Sequence, residues 1–280
     1  MNLRAQKGII ERKLIRKSPF SVGYYNFQPA VLTSNYPAQM PQDLADEVVL
    51  QWSDPGDVVL DPMCGSGTVL KAAVKSGRRA IGFDVNPNAI RICEESPELT
   101  GMVVDCDARA MKLGDNHIDL ILTSPPYGTL IAGKKLSYSS DPRDLSNAKT
   151  YEEFLDGLIY VLKECFRVLK PGALAVFIAK SRNKGILRPL PHYISIFGGM
   201  RQSDTFTING KEYHGVGFWP WTHRVFPTLP YMIWTFGPEN RRKAIPQHEE
   251  MVVLRKPSDE EPLEEEPQPV PISTLMDWVA

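Results

Sequence analysis

A chain of 280 residues sits at the upper size for one hydrophobic core, which predicts a single domain with at most a small appendage. Apolar residues make up 42% and 20 glycines bring the total near half, a composition that excludes a mostly disordered chain. The 32 Lys and Arg nearly cancel the 33 Asp and Glu, and the resulting net charge of −1, taken alone, argues against a polyanionic partner.

The elements follow an alternating pattern along the chain. Asp43–Trp52 has Leu44, Val48 and Trp52 at helical spacing behind Pro41. Ser53-Asp54-Pro55-Gly56 is a turn, and Asp57–Asp61 reads as a buried strand ending in an acid. Val69–Ser76 is a helix stopped by Gly77, and Ala80–Asp84 is a second strand ending in an acid. Residues 88–95 read as helix, 102–105 and 118–123 as strands. Thr150 and Glu153 form a capping box ahead of a helix whose apolar face is Phe154, Leu155, Leu158, Val161, Leu162, Cys165 and Leu169. Lys170-Pro171-Gly172 ends that helix, and Ala173–Ala179 is a further strand. Strands alternating with helices predict a doubly wound, Rossmann-like α/β fold with a mostly parallel sheet covered on both faces. Ligands of such folds bind outside the carboxyl ends of the strands.

Charge is unevenly distributed over this frame. Residues 1–17 hold Arg4, Lys7, Arg12, Lys13, Arg16 and Lys17 against Glu11 alone, whereas residues 257–280 hold Asp259, Glu260, Glu261, Glu264, Glu265, Glu266 and Asp277 with no Lys or Arg. Setting those seven negative charges aside leaves residues 1–256 at +6. The expected organisation is a basic N-terminal segment (1–34), a folded domain (35–256) and an acidic, proline-rich tail (257–280) read as a solvated linker. Cys64, Cys93, Cys106 and Cys165 form no C-x-x-C pair and no zinc-spaced Cys/His cluster, so reduced thiols, no metal and a cytoplasmic location are expected. The N-terminus has no apolar h-region, which argues against a signal peptide. The apolar run Val225–Pro238, 14 residues with three prolines, is too short and broken to cross a bilayer, so no membrane partner is expected.

Two motifs lie at strand ends. In Asp61-Pro62-Met63-Cys64-Gly65-Ser66-Gly67-Thr68, glycines allow close backbone approach to a ligand, and the following helix N-terminus presents unpaired N–H groups. A Walker loop needs Gly-Lys-Ser/Thr, and no lysine occurs before Lys71, which disfavours ATP or GTP. A lone G-x-G also serves any tight strand-to-helix turn; Asp84 at the next strand end and Asp107 past the third turn the balance toward a nucleoside. Asp84 suits ribose hydroxyls and Asp107 an adenine amino group. The second motif, Thr123-Ser124-Pro125-Pro126-Tyr127-Gly128, follows IDLIL. Its prolines carry no N–H, so the Ser124 hydroxyl and Pro125 carbonyl are available to accept from an exocyclic NH₂, with Tyr127 as a stacking face.

DPMCGSGT, GFD, DAR and TSPPY together resemble the motifs of S-adenosylmethionine-dependent amino-methyltransferases of the DNA N4-cytosine/N6-adenine family. Flanking stretches 35–52, 151–172 and 248–257 are similar to that family too, so the resemblance covers roughly 35–180 and 230–257. It implies a seven-stranded sheet with an antiparallel last strand and S-adenosyl-L-methionine as cofactor. It further implies cofactor contacts from Asp61, Pro62, Cys64, Gly65, Gly67 and Thr68 at the methionine part, Asp84 at the ribose and Asp107 at the adenine. Ser124, Pro125, Pro126 and Tyr127 become the catalytic set for a flipped-out DNA base. Within the family S-P-P-Y is associated more with cytosine N4 than with adenine N6. RNA guanine-N2 methyltransferases, with N-P-P-Y-type motifs, are the alternative of a different substrate class. A restriction endonuclease counterpart or a homodimer is the expected further partner. The basic and aromatic residues of 181–228, among them Lys211, Tyr213, Trp219 and Trp221, with a hairpin turn at Asn209-Gly210, are expected to recognise DNA, although the tryptophans equally suit a core. Lys134, Lys135 and Arg143 mark residues 128–150 as a lid or DNA-contacting loop.

Overall fold

The computed structural model describes residues 40–126, 138–179, 182–183, 187–188, 190–208, 210–227 and 248–258. The basic N-terminal segment, nearly all of the acidic tail, Tyr127, Lys134 and Lys135 lie outside them. The first half alternates as its periodicity dictates: α1 (Gln42–Trp52), β1 (Val58–Asp61), α2 (Thr68–Lys75), β2 (Arg79–Asp84), α3 (Pro87–Glu94), β3 (Val103–Asp105) and β4 (Ile118–Thr123). A 3-10 turn at Leu145–Asn147 precedes α4 (Tyr151–Val168), which runs directly into β5 (Leu169–Ala179). After it come β6 (Arg182–Asn183), β7 (Leu187–Arg188), α5 (Leu190–Gly199), β8 (Thr205–Ile208), β9 (Lys211–His214), β10 (Trp219–Pro227) and β11 (His248–Arg255).

Seven strands form one sheet in the order β10-β11-β5-β4-β1-β2-β3. β11, the last strand among the described residues, runs antiparallel to both β5 and β10, so the other six share one direction. The expected sheet, mostly parallel with an antiparallel last strand, is therefore observed. From β1 the chain winds outward through β2 to β3, then crosses back to β4 on the other side of β1. That reversal is the switch point at which α/β sheets open a crevice.

The core lies on both faces, and strand alternation sorts it. Val58 and Leu60 of β1, Phe177 of β5 and Leu254 of β11 join the apolar face of α4 in one cluster. Val59, Val176 and Val253 face the other way, against Leu44, Val48 and Trp52 of α1 and Val69 and Ala73 of α2. Ile118 and Leu120 break the period of two, because the β4–β5 register shifts between them.

α4 begins as its capping residues predict, with Thr150 Oγ1 accepting from Glu153 N at 3.1 Å. At its other end Lys256 Nζ donates to the carbonyls of Phe166 (2.8 Å) and Leu169 (2.9 Å), a cation at the negative end of the helix dipole. The Lys-Pro-Gly stretch does stop the helix, but it lies inside β5 instead of ahead of it: Leu169 already pairs with Ile118, and Gly172, at φ +79°, donates to Lys256 O.

β8 and β9 form the expected hairpin, closed by the pair Ile208↔Lys211 with Gly210 at φ +78°. It packs on α4 and α5 through a chain of rings from Tyr151 through Tyr193, Phe197 and Phe206 to Tyr213. Its Tyr213 is buried and donates from its hydroxyl to Asp156 Oδ1 at 2.8 Å, and Lys211 Nζ reaches the same oxygen at 2.9 Å. Both side chains thus bind the fold itself. Trp219 belongs to the sheet edge, beneath the Arg255 guanidinium.

Candidate active site

β1 and β4 lie side by side, with Leu60 opposite Ile121, so their carboxyl ends release the two motifs next to each other. Asp61 ends β1 and is 4% exposed. Its Oδ1 accepts from Met63 N at 3.1 Å. Burial lifts its pKa from the ordinary 3.8 to about 7, the Asp84 charge adds to the rise, and the nearby Thr123 hydroxyl and the Met63 N–H oppose it. The Thr123 hydroxyl, fully buried at the end of β4, makes no hydrogen bond of good geometry, yet it lies close enough to favour the ionised Asp61.

The loop after Asp61 turns through two left-handed glycines, Gly65 (φ +51°) and Gly67 (φ +80°), into α2. Gly65 N donates to Asp84 Oδ2 at 2.8 Å, which ties the loop to the end of β2. Gly67 has a packing reason for lacking a side chain: a Cβ there would lie 2.5 Å from Leu99 Cδ1 and 3.0 Å from Cys93 Sγ. Cys64 is likewise buried, in a cluster with Leu70, Cys93, Leu99 and Val103, so its contribution to any ligand is its backbone. Pro62 is buried, and Thr68 opens α2, half-buried.

Asp84 Oδ1 accepts from Asn86 N at 2.8 Å, and burial again raises the carboxyl pKa against the opposing backbone hydrogen bonds. Asp107 lies past β3 and is held by Arg109: the backbone N and Nε donate to Oδ1 at 2.9 and 3.0 Å, and Nη2 donates to Oδ2 at 2.7 Å. The same Asp-x-Arg spacing gives the same ring at Asp141 and Arg143. Arg143, expected as a DNA contact, also pairs with Asp105 at 2.9 Å and so serves the fold. Ser124 and Pro126 are half-buried and Pro125 buried directly after β4.

The structure thus gathers Asp61, the glycine loop, Asp84, Asp107 and the Ser124-Pro125-Pro126 stretch along one edge of the sheet. Three residues at this edge carried no assignment from sequence: Asn86, Arg109 and Thr123. For Arg109 the available signals were its place in the DAR motif and the repeated Asp-x-Arg spacing. Among the described residues no group of three or more His, Cys, Asp or Glu is arranged to hold a metal, and no helix is long and apolar enough to cross a membrane.

Residues 13–95 and 118–278 match the DNA methylase (N6/N4 methyltransferase) family. A tRNA (guanine(10)-N2)-dimethyltransferase of Methanothermobacter thermautotrophicus is 35% identical over 128 residues, 43% of this chain and 34% of that protein. The DNA adenine methyltransferase YhdJ of Escherichia coli is 43% identical over 58 residues, 21% of this chain and 20% of the relative. The orphan methyltransferase M.BamHII of Bacillus amyloliquefaciens is 40% identical over 60 residues, 21% and 23% of the two chains. The chain therefore spans about a third or less of the length of these relatives. The family match covers most of the chain and takes in the glycine loop, Asp84 and the Ser124-Pro125-Pro126 stretch, whereas β3, Asp107 and Arg109 lie in the unmatched residues 96–117: this protein belongs to the DNA methylase family of S-adenosylmethionine-dependent N6/N4 amino-methyltransferases.

Proposed function

We propose that the protein transfers a methyl group from S-adenosylmethionine to the exocyclic amino group of a flipped-out DNA base, cytosine N4 in the first instance. One observation carries this reading: along the strand order β3-β2-β1-β4, the carboxyl ends bear Asp107, Asp84, Asp61 and Ser124 in succession. That is the order adenine, ribose, methionine and target amine. The donor set fits the cofactor, because a buried carboxyl that accepts one backbone hydrogen bond, as at Asp61, has room for a cation such as the methionine ammonium. When bound, S-adenosylmethionine supplies a methyl group on a sulfonium that leaves as a neutral thioether.

The chain's own work is binding and orientation. Asp84 accepts from the ribose hydroxyls and Asp107 from the adenine amine. Ser124 Oγ and the Pro125 carbonyl accept the two hydrogens of the target amine. Drawing those hydrogens out of the ring plane gives the nitrogen more sp³ character and aims its lone pair at the methyl carbon. The methyl group would pass to that nitrogen as its bond to sulfur broke, and the nitrogen, still oriented by Ser124 and Pro125, would then give one proton to water. Proximity and alignment supply much of the acceleration. Extracting a base from a duplex costs a few kcal/mol, and stacking on Tyr127, worth about 1–3 kcal/mol, offsets part of it.

Adenine N6 is the nearer alternative, since a DNA adenine methyltransferase is among the relatives. RNA guanine N2 is the further one, supported by the relative with the longest of the three matches, 128 residues. The test is to express the protein in a methylation-free host and digest DNA and RNA separately to nucleosides for mass spectrometry. N4-methylcytosine in DNA is the expected product. N6-methyladenine alone moves the assignment to adenine, and methyl label confined to RNA rejects the DNA reading.

A further inference from the structure

Both nucleoside-side acids connect to one segment of the chain. Asn86, whose backbone N donates to Asp84, donates from Nδ2 to Tyr138 O at 2.9 Å. Arg109, whose guanidinium holds Asp107, donates from Nη2 to Arg143 O at 3.1 Å. Residues 138–147 are the first described stretch after the Ser124-Pro125-Pro126 motif, and they are built to stay in place. Asp144, 7% exposed, accepts from Ser139 Oγ and Ser146 N, both at 2.8 Å. Asn147 Nδ2 donates to the carbonyls of Ser139 and Asp141, and Leu145 is buried against α4 at Gly157.

We propose that Arg109 is a positioning residue of the adenine pocket: it fixes the Asp107 carboxylate in one orientation, so that a remaining lone pair accepts from the exocyclic amine of the cofactor adenine. This deepens the function proposed above and rests on its assignment of Asp107. A carboxylate offers about four acceptor sites, and Arg109 takes those facing the turn through its backbone N, Nε and Nη2. The guanidinium is itself held from a second side, because Nη2 also donates to Arg143 O at 3.1 Å. An acceptor fixed in this way favours an amine, which donates, over a carbonyl, which repels it. Freed of Arg109, the Asp107 side chain turns between rotamers and loses that preference.

The experiment compares binding of S-adenosylhomocysteine with that of its inosine analogue, in which a carbonyl replaces the adenine amine, by calorimetry on the full chain. The wild type should prefer the adenosyl compound. Arg109→Gln should weaken that compound by roughly tenfold or more while leaving the inosyl compound nearly unchanged. Arg109→Lys, which keeps the cation and loses the fork, should restore part of the preference. Equal weakening of both compounds in Arg109→Gln, or an unaltered preference in either variant, overturns the positioning role and leaves the Asp107 assignment standing. Failure of the wild type to bind either compound, or a preference that survives Asp107→Ala, overturns the adenine assignment and this proposal with it.

Discussion

At the scale of single residues, burial has made two carboxyl groups of the site, Asp61 and Asp84, reluctant to ionise. Asp61 carries the largest consequence. Its folded pKa of about 7 lies above the ordinary 3.8, so the folded protein holds a proton that the unfolded chain releases. The stabilisation from that proton is complete below pH ~3.8 and is lost as pH rises to about 7. Across that window the stability of the ligand-free protein should fall by a few kcal/mol from this group alone. D61N keeps an acceptor for Met63 N–H and removes the titration, so its stability should be flatter with pH and should exceed that of the wild type at pH 8. Urea unfolding of both proteins at pH 5, 6, 7 and 8 checks this; parallel profiles would reject the buried titration. The same linkage predicts that cofactor affinity rises as pH approaches ~7 and falls again above pH ~8, because the contact needs both the ionised Asp61 and the protonated ligand amine.

At the scale of elements, a glycine in mid-helix shows how α4 serves the site. Gly157 should cost about 1 kcal/mol relative to alanine in a helix interior. A Cβ there would meet Leu145 Cδ2 at 2.4 Å, so the missing side chain is the notch that seats the 3-10 turn holding Arg143 and Asp144 nearby. Gly157→Ala should therefore destabilise by about 1–3 kcal/mol despite its better helix propensity. Adding Leu145→Ala should relieve the clash, leaving the double variant less destabilised than the sum of the singles by ~1 kcal/mol or more. Additive losses in urea unfolding would remove Leu145 from the account. The case also marks the limit of what the sequence discloses. The helices around β1 and β2 and the apolar face of α4 were legible because period and caps are local signals. The acids at strand ends were legible because a strand run that stops in Asp has a short, readable signature. The contacts of Asn86 with Tyr138, of Arg109 with Arg143 and of Gly157 with Leu145 were not, since they span 52, 34 and 12 residues and only the folded chain makes them, although the Asp107–Arg109 pair itself is local.

At the scale of the whole molecule, the neutral total conceals a separation of charge that bears on DNA. With seven acids in the stretch 257–280, the rest of the chain is at +6 while the full sequence is at −1. An acidic chain tethered to a basic body competes with phosphates for the same lysines and arginines, and the competition is strongest where salt is low. Some cations of the domain already have acidic partners: Arg109, Arg143, Arg167, Lys170 and Lys211 are paired with Asp107, Asp141, Asp115, Asp119 and Asp156. The tail's seven negative charges exceed the net +6 of residues 1–256, so removing them should have a measurable effect. Ser258 is buried, so a truncation that spares the fold begins after it. Deleting residues 259–280 should tighten non-specific binding to duplex DNA by on the order of tenfold at 50 mM salt, with the difference shrinking toward 300 mM. Fluorescence anisotropy of a labelled duplex across that salt range is the measurement. Equal affinity of the full and truncated chains at low salt would show that the tail does not compete, and an equal gain at every salt concentration would assign the effect to something other than charge.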